Sequence, residues 1–297
     1  MSKRTLALLA AIGATTIYGI NHTIAKGVMP TYVTPFGFIF LRVVGAAILF
    51  WAISIFGPKE RIERRDWGRL LAAALLGMVI NMLSFFKGLE LSTPINSAVL
   101  VTISPIIVVA LSAFFLKERI TLNKGLGIAL GFVGAVSLVL FGAEIRQDAP
   151  NIPMGNALFI VNATAYGAYL IVAKKLVEKY HPFTLMKWLF TIAVVINFPI
   201  TFSDFLEIQW TTMPLWAYAV VTFVIICTTF MTYLFNIFAM TELRASTIGA
   251  FIYVQPIFGI LFALITGKDN LTLVKIAATG LVLVGVYLAS KKVGAKV

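Results

Sequence analysis

The chain has 297 residues, 60% hydrophobic and only 12% charged, with a mean hydropathy of +0.96. A water-soluble fold of this length cannot hide so much apolar surface, so the composition points to a polytopic helical membrane protein with no room for a soluble catalytic domain. The net charge of +12 reads as loop orientation rather than a nucleic-acid surface, and the single Cys227 excludes an intrachain disulfide.

Ten apolar segments are predicted in chain order: 5–25, 35–56, 67–86, 94–116, 122–141, 154–173, 184–202, 213–233, 245–266 and 272–290. The first could pass for a signal peptide, but it has a counterpart later in the chain and is read as a membrane span. It places Tyr18, Asn21 and His22 on roughly one face. His22 has two readings there, a proton carrier and a packing histidine. The second segment carries Arg42 about two turns inside the membrane, where it can fork to a carboxylate or phosphate or tie helices together. The third gives a stripe of Asn81, Ser84 and Lys87.

The fourth segment, PINSAVLVTISPIIVVALSAFFL, has Pro105 at its middle. Proline deletes a backbone hydrogen bond and crowds the preceding turn, and in hydrocarbon such a break survives only against protein or a wet cavity. The ninth segment repeats the arrangement with Pro256. The two prolines are therefore candidate hinges. The fifth and tenth segments are rich in glycine (Gly125, Gly127, Gly131, Gly134; Gly280, Gly285) and read as a packing or dimer seam. The sixth offers Asn162, Tyr166 and Tyr169, and the seventh begins with an interfacial Lys187-Trp188. The eighth supplies Thr229, Thr232, Tyr233 and Asn236, and the ninth adds Tyr253 and Gln255 beside the proline.

With the N-terminus on the inside, 17 of the 24 Lys and Arg fall inside, five fall outside and two lie within spans. Acidic residues divide evenly, as the positive-inside rule allows. Both termini are thus expected in the cytoplasm. A shift of 151 positions lays Pro105 on Pro256, Thr121 on Thr272, Lys124 on Lys275 and Gly134 on Gly285. A shift of 148 lays Tyr18-Gly19 on Tyr166-Gly167. Five spans per half make the second copy enter from the opposite side. The expectation is an all-α membrane fold of ten helices, a 5+5 inverted repeat around a central cavity. Residues 1–142 form one unit, 143–153 an external linker and 154–297 the other.

Leu41-Arg42 followed by Gly45 and Ala46, the two mid-span prolines, and the LKERIT run at 116–121 followed by four glycines carry a resemblance. The pattern resembles the EamA-type branch of the drug/metabolite transporter superfamily over nearly the whole chain. It departs in the second half, where Leu189 stands opposite Arg42 and Asp269 opposite Glu118. The resemblance implies secondary transport of metabolites, with amino-acid exporters and movers of nucleotide sugars or sugar phosphates among the relatives.

The residues expected to touch substrate are Asn21, His22, Arg42, Asn81, Ser84, Tyr166, Tyr169, Thr232, Asn236, Tyr253 and Gln255. No Asp or Glu lies deep in a span, which argues against a cation/proton multidrug exchanger and for an uncharged or zwitterionic solute. Phosphate-loop, zinc-protease and nucleophile-elbow motifs are missing. An exporter in the inner membrane is expected, as monomer or homodimer, with bilayer and solute as its partners. Proton coupling rests on His22, and neither a cofactor nor nucleic acid is expected. A phosphorylated or nucleotide-linked solute held by Arg42, Lys87 and Lys187, and a non-transporting receptor or assembly subunit, are the rival readings.

Overall fold

Five helices begin at a side chain that satisfies a first-turn amide. Ser2 caps Thr5, Thr34 caps Gly37, Thr93 caps Asn96, Asn151 caps Met154 and His181 caps Phe183. At Thr34, Thr93 and His181 the next residue is proline, which lacks the amide a first turn would leave unpaired. These sites set where the chain re-enters the helical state after each short loop.

The structure is a computed structural model that describes residues 2–115, 121–141, 147–243 and 254–290. The LKERI run (116–120), Tyr253 and the first half of the ninth segment lie outside them. The described helices are α1 (Lys3–Val28), α2 (Pro35–Ser54), α3 (67–91), α4 (Pro94–Val101 and Ser104–Phe115) and α5 (Leu122–Phe141). They continue with α6 (Ile152–Val177), α7 (Pro182–Leu206), α8 (215–242), α9 (Gln255–Ile265) and α10 (Leu273–Ser290). Eight are long and apolar enough to cross a membrane; α9 and α10 are shorter apolar helices. α1, α3, α6 and α7 outrun the apolar segments read from the sequence. Their extra turns carry Lys26, Lys87, Glu90, Lys174, Lys175 and Asp204, which end a hydropathy run without ending a helix.

α1 packs on α8 and α9, and α6 packs on α3 and α4. α2 lies along α7 on one flank and α5 along α10 on another, while the first half of α4 meets α9. The α5–α10 contact resolves the glycine-rich seam as intramolecular. A Cβ on Gly285 would stand 2.6 Å from the Gly131 nitrogen and 2.7 Å from the Gly127 carbonyl oxygen. One on Gly134 would meet the Ala278 carbonyl oxygen at 2.9 Å. Close backbone approach replaces the hydrophobic drive that lipid does not supply.

Gly285→Val should therefore push α5 and α10 apart and cost about 1–3 kcal/mol. Gly280→Ala, where nothing lies within 4 Å of the new Cβ, should be neutral or stabilise by about 0.5–1 kcal/mol. Thermal unfolding in detergent compares the two; equal effects would remove the seam.

Candidate substrate site

The fourth helix is two helices. The first segment ends at Val101, the chain turns through Thr102 and Ile103, and Pro105 is the second residue of the next segment. The Val101 carbonyl, which would have paired with residue 105, accepts instead from the Ser104 hydroxyl at 2.7 Å. The Ala98 carbonyl accepts from Thr102 at 2.7 Å. In α9 Pro256 likewise occupies the second position.

α3 and α8 each contain a wider π-helical stretch, Leu75–Ile80 and Val224–Met231. Such bulges occur where a helix is opened for function. Both stretches point residues at the centre. Thr229 accepts from the Arg42 Nε at 2.8 Å and donates to the Val224 carbonyl at 3.0 Å. Thr228 donates to the Asn21 side-chain oxygen at 3.1 Å. The bare face of Gly77 receives the Tyr169 ring; a Cβ there would lie 2.6 Å from it.

Four tyrosines gather at this level. Tyr18 lies beside Thr232 and Arg42. Tyr166 and Tyr169 have ring centroids 5.9 Å apart, and Tyr233 is within electrostatic reach of Tyr18, Tyr166, Tyr169 and Arg42. The Arg42 guanidinium carbon stands 5.6 Å from the centre of the Phe86 ring. No carboxylate among the described residues pairs with it.

The cluster borders an open space. Tyr166 is 39% exposed, and Tyr18, Arg42 and Tyr233 are half-buried. The lipid-side stripe of α6 runs through Val161, Thr164 and Ala168. Tyr166 is two residues from either neighbour, about 200° around the helix, so its exposure is to an interior cleft. Leu170 and Val177 continue the accessible stripe toward the basic end of α6. In the other direction Phe159, Asn162 and Ala163 are buried. The cleft therefore opens at the end that carries Lys174 and Lys175.

The opposite end is sealed by interlocked polar groups. The His22 ring nitrogen meets the Ser97 hydroxyl at 2.6 Å. Lys26 donates to the carbonyls of Leu89 and Glu90, each at 2.7 Å. Asn156 accepts from Ser92 at 2.6 Å and from Asn96 at 3.2 Å. Asp269 and Lys275 form an ion pair at 2.9 Å with both side chains at 0% exposure. The second Asp269 oxygen accepts from the Ile95 amide at 3.0 Å, joining the chain after α9 to the start of α4.

The expected site residues thus divide by place. Arg42, Tyr166, Tyr169 and Thr232 come together around the cleft, and Asn236 is half-buried further along α8. Asn21 bridges α1 to α8, and His22 sits in the seal with Phe85 against its ring at 5.5 Å. Asn81 and Asn162 exchange side-chain bonds with each other's carbonyls at 3.2 and 2.8 Å, clamping α3 to α6. Ser84 donates to the Ile80 and Asn81 carbonyls of its own helix. Gln255 starts α9 with its carbonyl close to Gly19, and Tyr253 lies outside the described residues. Lys87, an expected anion ligand, is instead paired with Glu90. Tyr18 and Tyr233 belong to the cluster although they are not among the residues expected to touch substrate. Their helical faces, shared with Asn21 and Thr229, were the available signal.

An all-helical bundle with broken spans and a mid-depth polar cleft defines a multi-pass membrane transporter, and the comparisons with known proteins agree. The chain belongs to the EamA-like transporter family, matching it over 5–140 and again over 153–291. An uncharacterized transporter of Archaeoglobus fulgidus is 28% identical over 277 residues, covering 93% of this chain and 96% of the relative. The uncharacterized transporter YyaM of Bacillus subtilis is 21% identical over 82% of this chain and 81% of its own. A solved crystal structure of a protein superposes with a TM-score of 0.62 at 16% identity, covering 96% of each chain, a likeness of fold alone.

Lys275→Met removes the buried ammonium that faces the Asp269 carboxylate, which then keeps the Ile95 and Asn270 amides, and should cost roughly 3–5 kcal/mol. Adding Asp269→Asn should restore most of it. A double variant no more stable than the single would mean that the pair does not hold the seal.

Proposed function

We propose that the protein is a secondary transporter that moves a small zwitterionic or uncharged metabolite by alternating access, an amino-acid or metabolite exporter of the inner membrane with both termini cytoplasmic. The observation that carries this reading is Arg42, a cation at mid-depth bonded to Thr229 and a ring face, with no carboxylate partner among the described residues. A charge in hydrocarbon is expensive unless it is paired or wet, and a solute carboxylate would supply the pairing. The tyrosine rings offer flat apolar contact to the rest of the solute, with hydroxyls at the rim.

Two oppositely threaded halves, 1–142 and 154–297, account for the arrangement. In support, the family match occurs twice. The partners of α1 (α8, α9) and of α6 (α3, α4) exchange when the halves are exchanged. Gly19 abuts the start of α9 and Gly167 abuts α4 just beyond its break. Rocking about the helix starts at Pro105 and Pro256 would open the sealed end and close the basic one. The phosphorylated-solute reading loses two of its three cations, since Lys87 is paired with Glu90 and Lys187 sits 4.8 Å above the Trp51 ring.

Counterflow in proteoliposomes tests the proposal. Zwitterionic amino acids should drive saturable exchange and sugar phosphates should not. Arg42→Gln should raise KM for a carboxylate-bearing solute about 10- to 100-fold, the worth of a hydrogen bond to a charged group. Arg42→Lys should fail to restore it, lacking the fork. Sugar-phosphate exchange would reverse the substrate assignment; absence of any flux would favour the receptor or subunit reading.

A further inference from the structure

We propose that the cleft between α3 and α6 on the lipid-facing side is a binding site for an anionic glycerophospholipid, with the phosphate in a basic pocket at the helix ends and one acyl chain in the apolar groove that continues from it. The pocket, a cavity of about 520 Å³, is lined by Arg65, Asp66, Arg69, Lys175 and Lys179. Its carboxylates are already engaged. Asp66 accepts from Lys179 at 2.6 Å and from Tyr180 at 2.7 Å, and the neighbouring Glu63 pairs with Lys179 and Arg65, each at 2.7 Å. The bonds from Lys179 and Tyr180 hold the Asp66 carboxyl below the usual range, and those from Lys179 and Arg65 do so for Glu63. Two negative charges thus face four cations, and Arg69 and Lys175 have no carboxylate partner among the described residues. The surplus matches a phosphate, which Arg receives as a fork and Lys as a point charge.

The pocket lies at the depth of lipid headgroups. Trp67, between Arg65 and Arg69, is 39% exposed. Its ring meets Trp188 at 5.1 Å, and Trp188 meets Trp51 at 5.5 Å, an aromatic cluster of the kind found at membrane–water boundaries. This separates the site from a pocket for soluble anions.

A second cavity, about 290 Å³, lies between the same two helices and is lined by Leu76, Ile80, Ile160, Val161, Thr164, Ala165 and Ala168. Its one hydroxyl, that of Thr164, is bonded to the Ile160 carbonyl at 2.8 Å. Leu76 and Ile80 follow Arg69 by two and three turns on the same face of α3; Ala168 and Val161 precede Lys175 by two and four turns on one face of α6. From Arg69 to Ile80 the helix rises about 16 Å, close to half of a ~30 Å hydrocarbon core. A phosphate site at the headgroup level and a groove running from it toward the mid-plane fit one lipid molecule of one leaflet. Basic pockets between helices on the cytoplasmic side are where anionic headgroups bind.

The full chain, purified and stripped of lipid in detergent, is titrated with phosphatidylglycerol, phosphatidylcholine or inorganic phosphate while its Tm is followed. Phosphatidylglycerol should raise Tm by about 3–6 °C, and the other two by less than about 1 °C. The shift should vanish in Arg69→Gln/Lys175→Gln and persist in Arg69→Lys/Lys175→Arg and in the same-side control Lys59→Gln. Ile80→Trp, which fills the groove without changing charge, should reduce it and keeps the test open if the glutamine variant does not fold. Equal response to both lipids, or an unchanged phosphatidylglycerol shift in the glutamine or tryptophan variants, overturns the proposal. The full shift with phosphate alone would make the pocket a free-anion site and overturn it as well.

Discussion

Inside a bilayer a carbonyl that loses its helical partner has no water to turn to unless the protein admits some. This constraint decides where the chain is broken and by what means each break is answered. At Pro105 the orphaned Val101 carbonyl is taken by the Ser104 hydroxyl, and at the π-helical stretch of α8 the Val224 carbonyl is taken by Thr229. Hydroxyl residues therefore stand beside both of these irregularities. The same atoms are then available to the centre: Thr229 both closes its own helix and accepts from Arg42. The irregular backbone, the polar side chains and the cleft are one consequence of a single requirement.

The charge at Arg42 completes the asymmetry of the molecule. The sealed end satisfies its ions internally, as the Asp269–Lys275 pair at 0% exposure shows. The cleft does not: its cation is held by a hydroxyl and a ring face, both weaker partners than a carboxylate. An accessible stripe of Tyr166, Leu170 and Val177 leads from that cation to the basic end of α6. The structure thus depicts a state open on the basic side and closed on the other, with its closing contacts contributed by α1, α3, α4, α6 and the segment between α9 and α10.

Much of this was legible in the sequence because hydropathy and proline act locally. The apolar segments, the helix starts at Pro105 and Pro256, the placing of Arg42 two turns inside its span and the helical faces that carry Tyr166, Tyr169 and Thr232 follow from spacing alone. The π-helical stretches leave no such mark: LLGMVI and VIICTTFM read as ordinary apolar helix, and only tertiary contacts widen them. The glycines of α5 and α10 suggested a close-packed seam, yet periodicity cannot say whether the partner is the same chain. Asn81 and Ser84 lay on a polar stripe, but the stripe faces α6 and its own helix, because a polar side chain in lipid is satisfied by the nearest carbonyl. The seal escaped for a related reason. Lys26, Ser92 and Asp269 sit at helix ends that read as loops, while His22, Asn96, Ser97 and Asn156 lie within the predicted segments but bond to partners far away in the chain.

The Tyr166 face of α6 lines a wet cleft and not a dry contact or the lipid. Leu170→Cys in a Cys227→Ser background tests it most directly, because a charged methanethiosulfonate reagent reacts with a thiolate in water and hardly at all with a thiol in hydrocarbon. Leu170→Cys should label rapidly from the basic side of sealed vesicles, with Val161→Cys on the lipid stripe unreactive. Equal silence at both positions, or labelling of Leu170→Cys only from the opposite side, would contradict it.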